Sequence, residues 1–175
     1  MDGGAFSIPA HAEHYSVVLL KESGGAFLVQ RRARRKDIVY AGRLGLFGGR
    51  QEPGETPEAC AVREVEEECG LALRPSDLSL LARLLAHDEF GNLSFGHVYV
   101  ADELSREQTA EARRFKSDEG RVVLLQRADI DSRWRQLTSI TSYAFMSYFD
   151  YEASRRPRGG VLASFARMFS PSSSR

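Results

Sequence analysis

Residues 56 to 70 read TPEACAVREVEEECG, and no other stretch constrains the chain as tightly. Thr56 is a helix N-cap, Pro57 suits the first turn, and Gly70 suits the left-handed residue that ends a helix, so the spacing predicts a helix over 57–69. Glu64, Glu66, Glu67 and Glu68 crowd its C-terminal end. The macrodipole is negative there and disfavours anions by roughly a few tenths of a kcal/mol each. No lysine lies nearby, and Arg63 is the sole arginine in the run. At about 100° per residue, with Glu64 at zero, Glu67 falls near 300° and Glu68 near 40°, so the three share one face. Val65, Cys69 and Val62 fall at about 100°, 140° and 160° and form the adjoining buried stripe. Glu66, at about 200°, points to solvent.

A charge run is ordinarily a solvated face. This one sets like charges at i and i+4, Glu64 and Glu68, which destabilises a helix, and does so at the end least suited to anions. A divalent cation removes both objections. Mg²⁺ takes oxygen ligands and keeps waters, leaving positions for substrate phosphates.

Around this helix the chain alternates strand and helix signals. HYSVVLLKES and AFLVQRR, joined by Gly24-Gly25, read as a hairpin. A basic loop runs to about Tyr40, then come LGLFGG and the loop RQEPGE. LSLLARLLAHD and LSFGHVYVA flank EFGN as a second hairpin, and LSREQTAEARRF reads as a short polar helix or ordered loop. GRVVLLQ is a further strand, and ADIDSRW leads into a last helix over about 133–152. The expected class is mixed α/β (α+β) with a mixed or antiparallel sheet. Residues 1–13 read as an N-terminal extension, 14–152 as one domain, and 153–175 as a partly disordered tail.

Composition narrows the function. Lys and Arg number 24 and Asp and Glu 24, for zero formal charge, which disfavours general nucleic-acid or anionic-membrane binding. No apolar run is long enough to span a membrane. MDGGAFSIPA lacks the features of a secretory signal. Cys60 and Cys69 stand about 13 Å apart on one helix, too far to bridge, and read as reduced thiols. The expected location is cytoplasmic.

Gly49, five residues, Glu55, seven residues, then Arg63-Glu64-Val65-Glu66-Glu67-Glu68-Cys69-Gly70-Leu71 matches the Nudix box throughout. A chance match arises about once in 10⁸ windows. Over residues 49–71, and by element order over about 14–150, the chain resembles the Nudix hydrolase family. The resemblance implies an α/β/α sandwich with the box as loop-helix-loop. It further implies hydrolysis of a diphosphate linkage in a nucleoside diphosphate joined to another moiety, with Mg²⁺, or Mn²⁺ as substitute. Glu64, Glu67 and Glu68 would carry metal with the Gly48 carbonyl and an acid of the later SDEG loop, Glu119 or its neighbour Asp118. Glu64 would otherwise act as base, and Glu67 and Arg63 would serve catalysis. Arg63 can also reach back to Glu55 and lock the loop onto the helix, with Gly49, Glu55 and Gly70 structural.

The run RRARRK, Arg31 to Lys36, is a solvated strand end or a phosphate clamp, with Arg32 the candidate for substrate. Histidines 11, 14, 87 and 97 lack metal-ligand spacing and read as surface or strand residues. Tyr143, Phe145, Tyr148 and Phe149 read as core or as the surface of a homodimer. Two rival functions share the fold. FLVQRRARRKDIVYAG faintly resembles isoprenoid-diphosphate isomerases, whose box is usually incomplete. Non-catalytic nucleotide sensors tend to lose box glutamates. Substrate markers seen in family subclasses are absent at Leu85 and at Ala86, His87 and Asp88, and Phe47 stands where many members have proline. The expected partner is a small nucleotide or diphosphate.

Overall fold

The computed structural model describes residues 8–9, 11–87 and 91–155. The order is β1 (Glu13–Glu22), β2 (Phe27–Arg32), β3 (Leu44–Gly45), β4 (Phe47–Arg50), α1 (Pro57–Cys69), β5 (Ser79–His87), β6 (Leu93–Leu104), α2 (Arg106–Arg114), β7 (Gly120–Leu125), α3 (Arg127–Ser132) and α4 (Ser139–Arg155). The seven strands form one mixed sheet.

The first hairpin forms as expected, but β1 and β2 pair only near its turn, at Leu20↔Leu28 and Lys21↔Phe27. Beyond that they splay, and the segment 44–50 fills the wedge. β3 pairs with β2, then the chain crosses at Leu46 and β4 pairs with β1 from Val18↔Phe47 to Tyr15↔Arg50. The other edge of β1 pairs with β6 in parallel, and β5 and β6 form the expected second hairpin. β7 closes the far edge on β2.

Alternation along β1 explains its unbroken apolar run. Val17 and Leu19 enter one core with Phe27, Phe145 and Tyr148, whereas Val18 and Leu20 enter a second with Val65, Cys69 and Ala112. A strand covered on both faces has no polar side. α1 and α2 therefore cover one face and α3 and α4 the other, giving an α/β/α sandwich. Phe145 and Tyr148 are core residues, and Tyr143 is half-buried on the same helix.

Two expectations at the C-terminal end need correction. ADIDSRW forms a helix of its own, α3, whose Gln126 N–H donates to the Asp129 carboxylate at 2.9 Å. The last helix begins at Ser139 rather than about 133. Thr138 sets that start: its N–H bonds to the Leu44 carbonyl, and its carbonyl accepts from Ser142 in the first turn. The polar segment after β6 is a helix, α2, with Ser105 and Gln108 forming a reciprocal capping box. The first residues of the expected tail, 153–155, belong to α4, and the rest of it, 156–175, lies outside the described residues.

Candidate active site

The helix α1 has the expected bounds. Thr56 accepts from the Ala59 N–H, and Gly70, at φ 73°, donates to the Glu66 carbonyl and ends the helix. Its buried face is rotated from the expected stripe: Cys60, Ala61, Val65, Glu68 and Cys69 are buried, whereas Val62 is half-buried. Glu68 is therefore part of the stripe that packs on the sheet, not a rim residue. Glu66 is exposed, as its helical angle required.

Glu68 meets the sheet at two donors. The Gly48 N–H donates to its Oε2 at 2.8 Å, and Gln30 Nε2 donates to its Oε1 at 2.9 Å. Gly48 can turn its backbone there because it is glycine: at φ 143° a Cβ would collide with the Ser16 carbonyl. Gly49 next to it lies so close to Glu64 that a Cβ would stand 2.5 Å from Oε1. The loop before β7 brings Glu119 against the Glu68 carboxyl. Burial first, and then this second carboxylate, outweigh the two donors and push Glu68 up to about 8. Glu64 is raised as well, by burial first and, against the pull of Arg63, by Glu67 and Glu119.

Arg63 ties the loop to the helix. Its Nε donates to Glu55 Oε1 at 2.9 Å, and its Nη1 to Glu64 Oε1 at 2.8 Å and Glu67 Oε2 at 3.2 Å. The Glu55 carboxylate also accepts the Glu52 N–H, which closes the loop on itself. The sequence left the glutamate charge unneutralised; in the fold this one guanidinium serves Glu64 and Glu67, while Glu68 is beyond it. Glu67, 59% exposed, stands on the rim rather than beside Glu68.

The structure thus brings together Gly48, Gly49, Glu64, Glu68 and Glu119, with Arg63 and Glu55 behind them. The main-chain carbonyl of the neighbouring Asp118 accepts from Arg35 at 3.4 Å, and of the two acids it is Glu119 that meets the Glu68 carboxyl. Arg32 reaches the group at one remove, through Gln30 Oε1 at 3.4 Å. Gln30 itself escaped the sequence reading. A fully buried glutamine in a strand otherwise apolar up to that point has to find a partner; that was the available signal. His14 and His87 are exposed on strands, and His97 is buried in β6. Both thiols are free and buried, with burial pushing Cys60 up to about 11 and Cys69 up to about 12.

Among the described residues, no three His, Cys, Asp or Glu side chains are gathered closely enough to cage an ion by themselves. The donor chemistry nevertheless suits a hard divalent cation. Burial first, and then a like-charged neighbour, drive the Glu68 carboxyl off its charged form, and its oxygens with those of Glu119 and the nearby Glu64 are of the hard type such a cation takes. On the opposite face of the sheet, a cavity of about 440 Å³ reaches Gly48 and Gly49 and is walled by Tyr15, Tyr40, Leu84 and Ile140.

The family model described as NUDIX domain matches residues 10–130. An 8-oxo-dGTP diphosphatase of Escherichia coli (strain K12) is 36% identical over 69 residues, 39% of this chain and 50% of that protein. An uncharacterized Nudix hydrolase, orf19 of Rhodococcus erythropolis, is 35% identical over 79 residues, 43% of each. The chain therefore spans half or less of the curated relatives it matches. A solved NUDIX hydrolase from Nitrosomonas europaea superposes with a TM-score of 0.63 at 17% identity, covering 79% of this chain and 89% of that one. A bifunctional NMN adenylyltransferase/ADP ribose pyrophosphatase from Francisella tularensis, complexed with AMP and a Mn ion, superposes with a TM-score of 0.61 at 16% identity, over 85% of this chain and 43% of its own. Such identities speak to fold alone; the family match rests on the sequence itself. By that match, over more than half its length, the chain belongs to the NUDIX domain family.

Proposed function

We propose that this chain is a divalent-cation-dependent hydrolase, using Mg²⁺ with Mn²⁺ as substitute, that splits a diphosphate linkage in a nucleoside diphosphate joined to a second moiety. The observation that carries this reading is the buried Glu68 carboxyl facing Glu119, an arrangement that costs stability without a cation between or beside the two. Gly48, Glu64, Glu67, Glu68 and Glu119 would hold the metal. When bound, it supplies neutralisation of phosphate oxygens and a more acidic water.

The chain's own groups do the remaining work. Glu64, raised by burial, is better matched to accept a proton near neutral pH than an ordinary carboxylate. Arg63 fixes that carboxylate through its 2.8 Å bond and anchors it, through Glu55, to the loop. Gln30 and the Gly48 N–H hold Glu68 in place. The apolar cavity beside Gly48 and Gly49 has the walls to seat a nucleoside. Free, buried Cys60 and Cys69 suit a reducing compartment, and we place the protein in the cytoplasm.

The test is a panel of nucleoside triphosphates, ADP-ribose, nucleotide sugars, dinucleoside polyphosphates and isopentenyl diphosphate, incubated with and without Mg²⁺ and resolved by chromatography. Mg²⁺-dependent cleavage at a diphosphate bridge is the expected result. Isomerisation of isopentenyl diphosphate without hydrolysis, or binding with no turnover, would replace this reading with an isomerase or a sensor.

A further inference from the structure

At the far end of β2 from the hairpin turn, a cavity of about 530 Å³ is lined by Arg31, Arg32, Ala33, Arg34, Ser117, Gly120 and Arg121. Four of the seven lining residues are arginines, and none is an acid. Arg31 and Arg121 lie directly opposite one another across β2 and β7, a placement that destabilises a sheet when the charges are alike. Burial first, and then Arg133, Arg121 and Arg34, disfavour the charged form of Arg31.

Among the described residues, no acid forms an ion pair with these four arginines. Arg31 donates to the Gly42 carbonyl and to Gln136 Oε1, and Arg32 to the Val39 carbonyl and Gln30 Oε1, all uncharged acceptors. Several arginines elsewhere do find acids: Arg50 pairs with Glu13, Arg63 with three glutamates, Arg74 with Asp77 and Arg127 with Asp131. Even Arg35, beside the cavity, takes Asp37. A concave cluster of unpaired guanidinium groups is suited to an anion from outside, and their planar forks match phosphate oxygens two at a time.

Its position says which anion. Gly120 follows Glu119, the acid that faces Glu68, and is pinned to β2 so tightly that a Cβ would stand 2.5 Å from the Arg31 carbonyl. Arg32 touches Gln30, which holds Glu68. The arginine cavity therefore opens directly beside the carboxylate cluster. We propose that this cavity binds phosphates lying beyond the bond that is cut, so that the preferred substrates carry a chain of three or more phosphates rather than an uncharged second moiety. This rests on the hydrolase reading and extends it beyond Arg32 to Arg31, Arg34 and Arg121.

Two measurements on the full chain separate the two proposals. In the first, inorganic tripolyphosphate is titrated by calorimetry without divalent cation, against wild type, Arg34→Ala/Arg121→Ala, and Arg83→Ala, an exposed arginine on β5 at the opposite edge of the sheet. Arg34 and Arg121 are exposed, so the double variant keeps its fold. Its affinity should fall at least about tenfold, as expected for lost guanidinium–phosphate bonds, while Arg83→Ala binds as wild type does. In the second, KM for a nucleoside tetraphosphate should rise by at least about tenfold in the double variant with kcat held, and KM for a nucleotide sugar should stay put. Wild-type tripolyphosphate affinity in the double variant, or an equal loss in Arg83→Ala, would overturn the proposal. So would a KM change shared by both substrates. Binding lost as expected in a protein with no turnover would keep the anion site and sink only the hydrolase reading.

Discussion

At the scale of single residues, the account turns on Glu68. A carboxyl that titrates near 8 in the fold and near 4.5 when unfolded binds a proton in the native state over that interval. Its contribution to stability is present below the unfolded value and is lost as pH rises through the folded one. In metal-free protein, Glu68→Gln should therefore gain on wild type as pH rises from about 5 to about 9, by at least about 1 kcal/mol, the worth of less than one pKa unit. Urea denaturation in the presence of a chelator measures this, and a difference between the two proteins that stays constant with pH would refute it. Gly49 makes a different kind of demand. A methyl there meets the movable end of Glu64 rather than backbone, so the side chain can yield and the fold survives. Gly49→Ala should lower kcat by at least about tenfold through a displaced carboxylate while shifting Tm by only a few degrees. A large drop in Tm with kcat unchanged would show that Gly49 matters for folding alone.

At the scale of elements, α1 is the piece the sequence describes best, because its ends are written in local chemistry. Thr56→Ala removes the bond from the Ala59 N–H and should cost about 1 kcal/mol, with kcat/KM held within about twofold; denaturation and steady-state kinetics together check it. Both hairpins were equally legible, from glycine turns and apolar runs. Four features were not. The rotation of α1 that buries Glu68 in place of Val62 depends on what the sheet offers opposite, Gln30 and the Gly48 N–H, which no helical wheel contains. The break between α3 and α4 is set by Thr138 bonding to Leu44, a partner far away in sequence. The neutralisation of Glu64 and Glu67 by Arg63 needed side-chain reach, since Arg63 falls at about 260° on the same wheel, one step off the glutamate face. Spacing alone did not separate Glu119 from Asp118; in the fold it is Glu119 that meets the Glu68 carboxyl.

At the scale of the whole molecule, the sheet separates two cores and brings the functional parts to one region of the sheet. The splay of β1 and β2 is what makes the site. It admits the segment 44–50, and so sets Gly48 under α1 at the point where Glu68 descends and β7 delivers Glu119. The measurement closest to the central claim is binding of Mn²⁺, followed by its electron paramagnetic resonance signal, to wild type, Glu68→Gln and Glu66→Gln. Glu66 is the control because it sits on the same helix, carries the same charge and faces solvent. The account predicts saturable binding to wild type and Glu66→Gln with similar affinity, and a loss of at least about tenfold in Glu68→Gln. Equal affinity in all three proteins would contradict it, because the buried carboxylate would then not be a metal ligand.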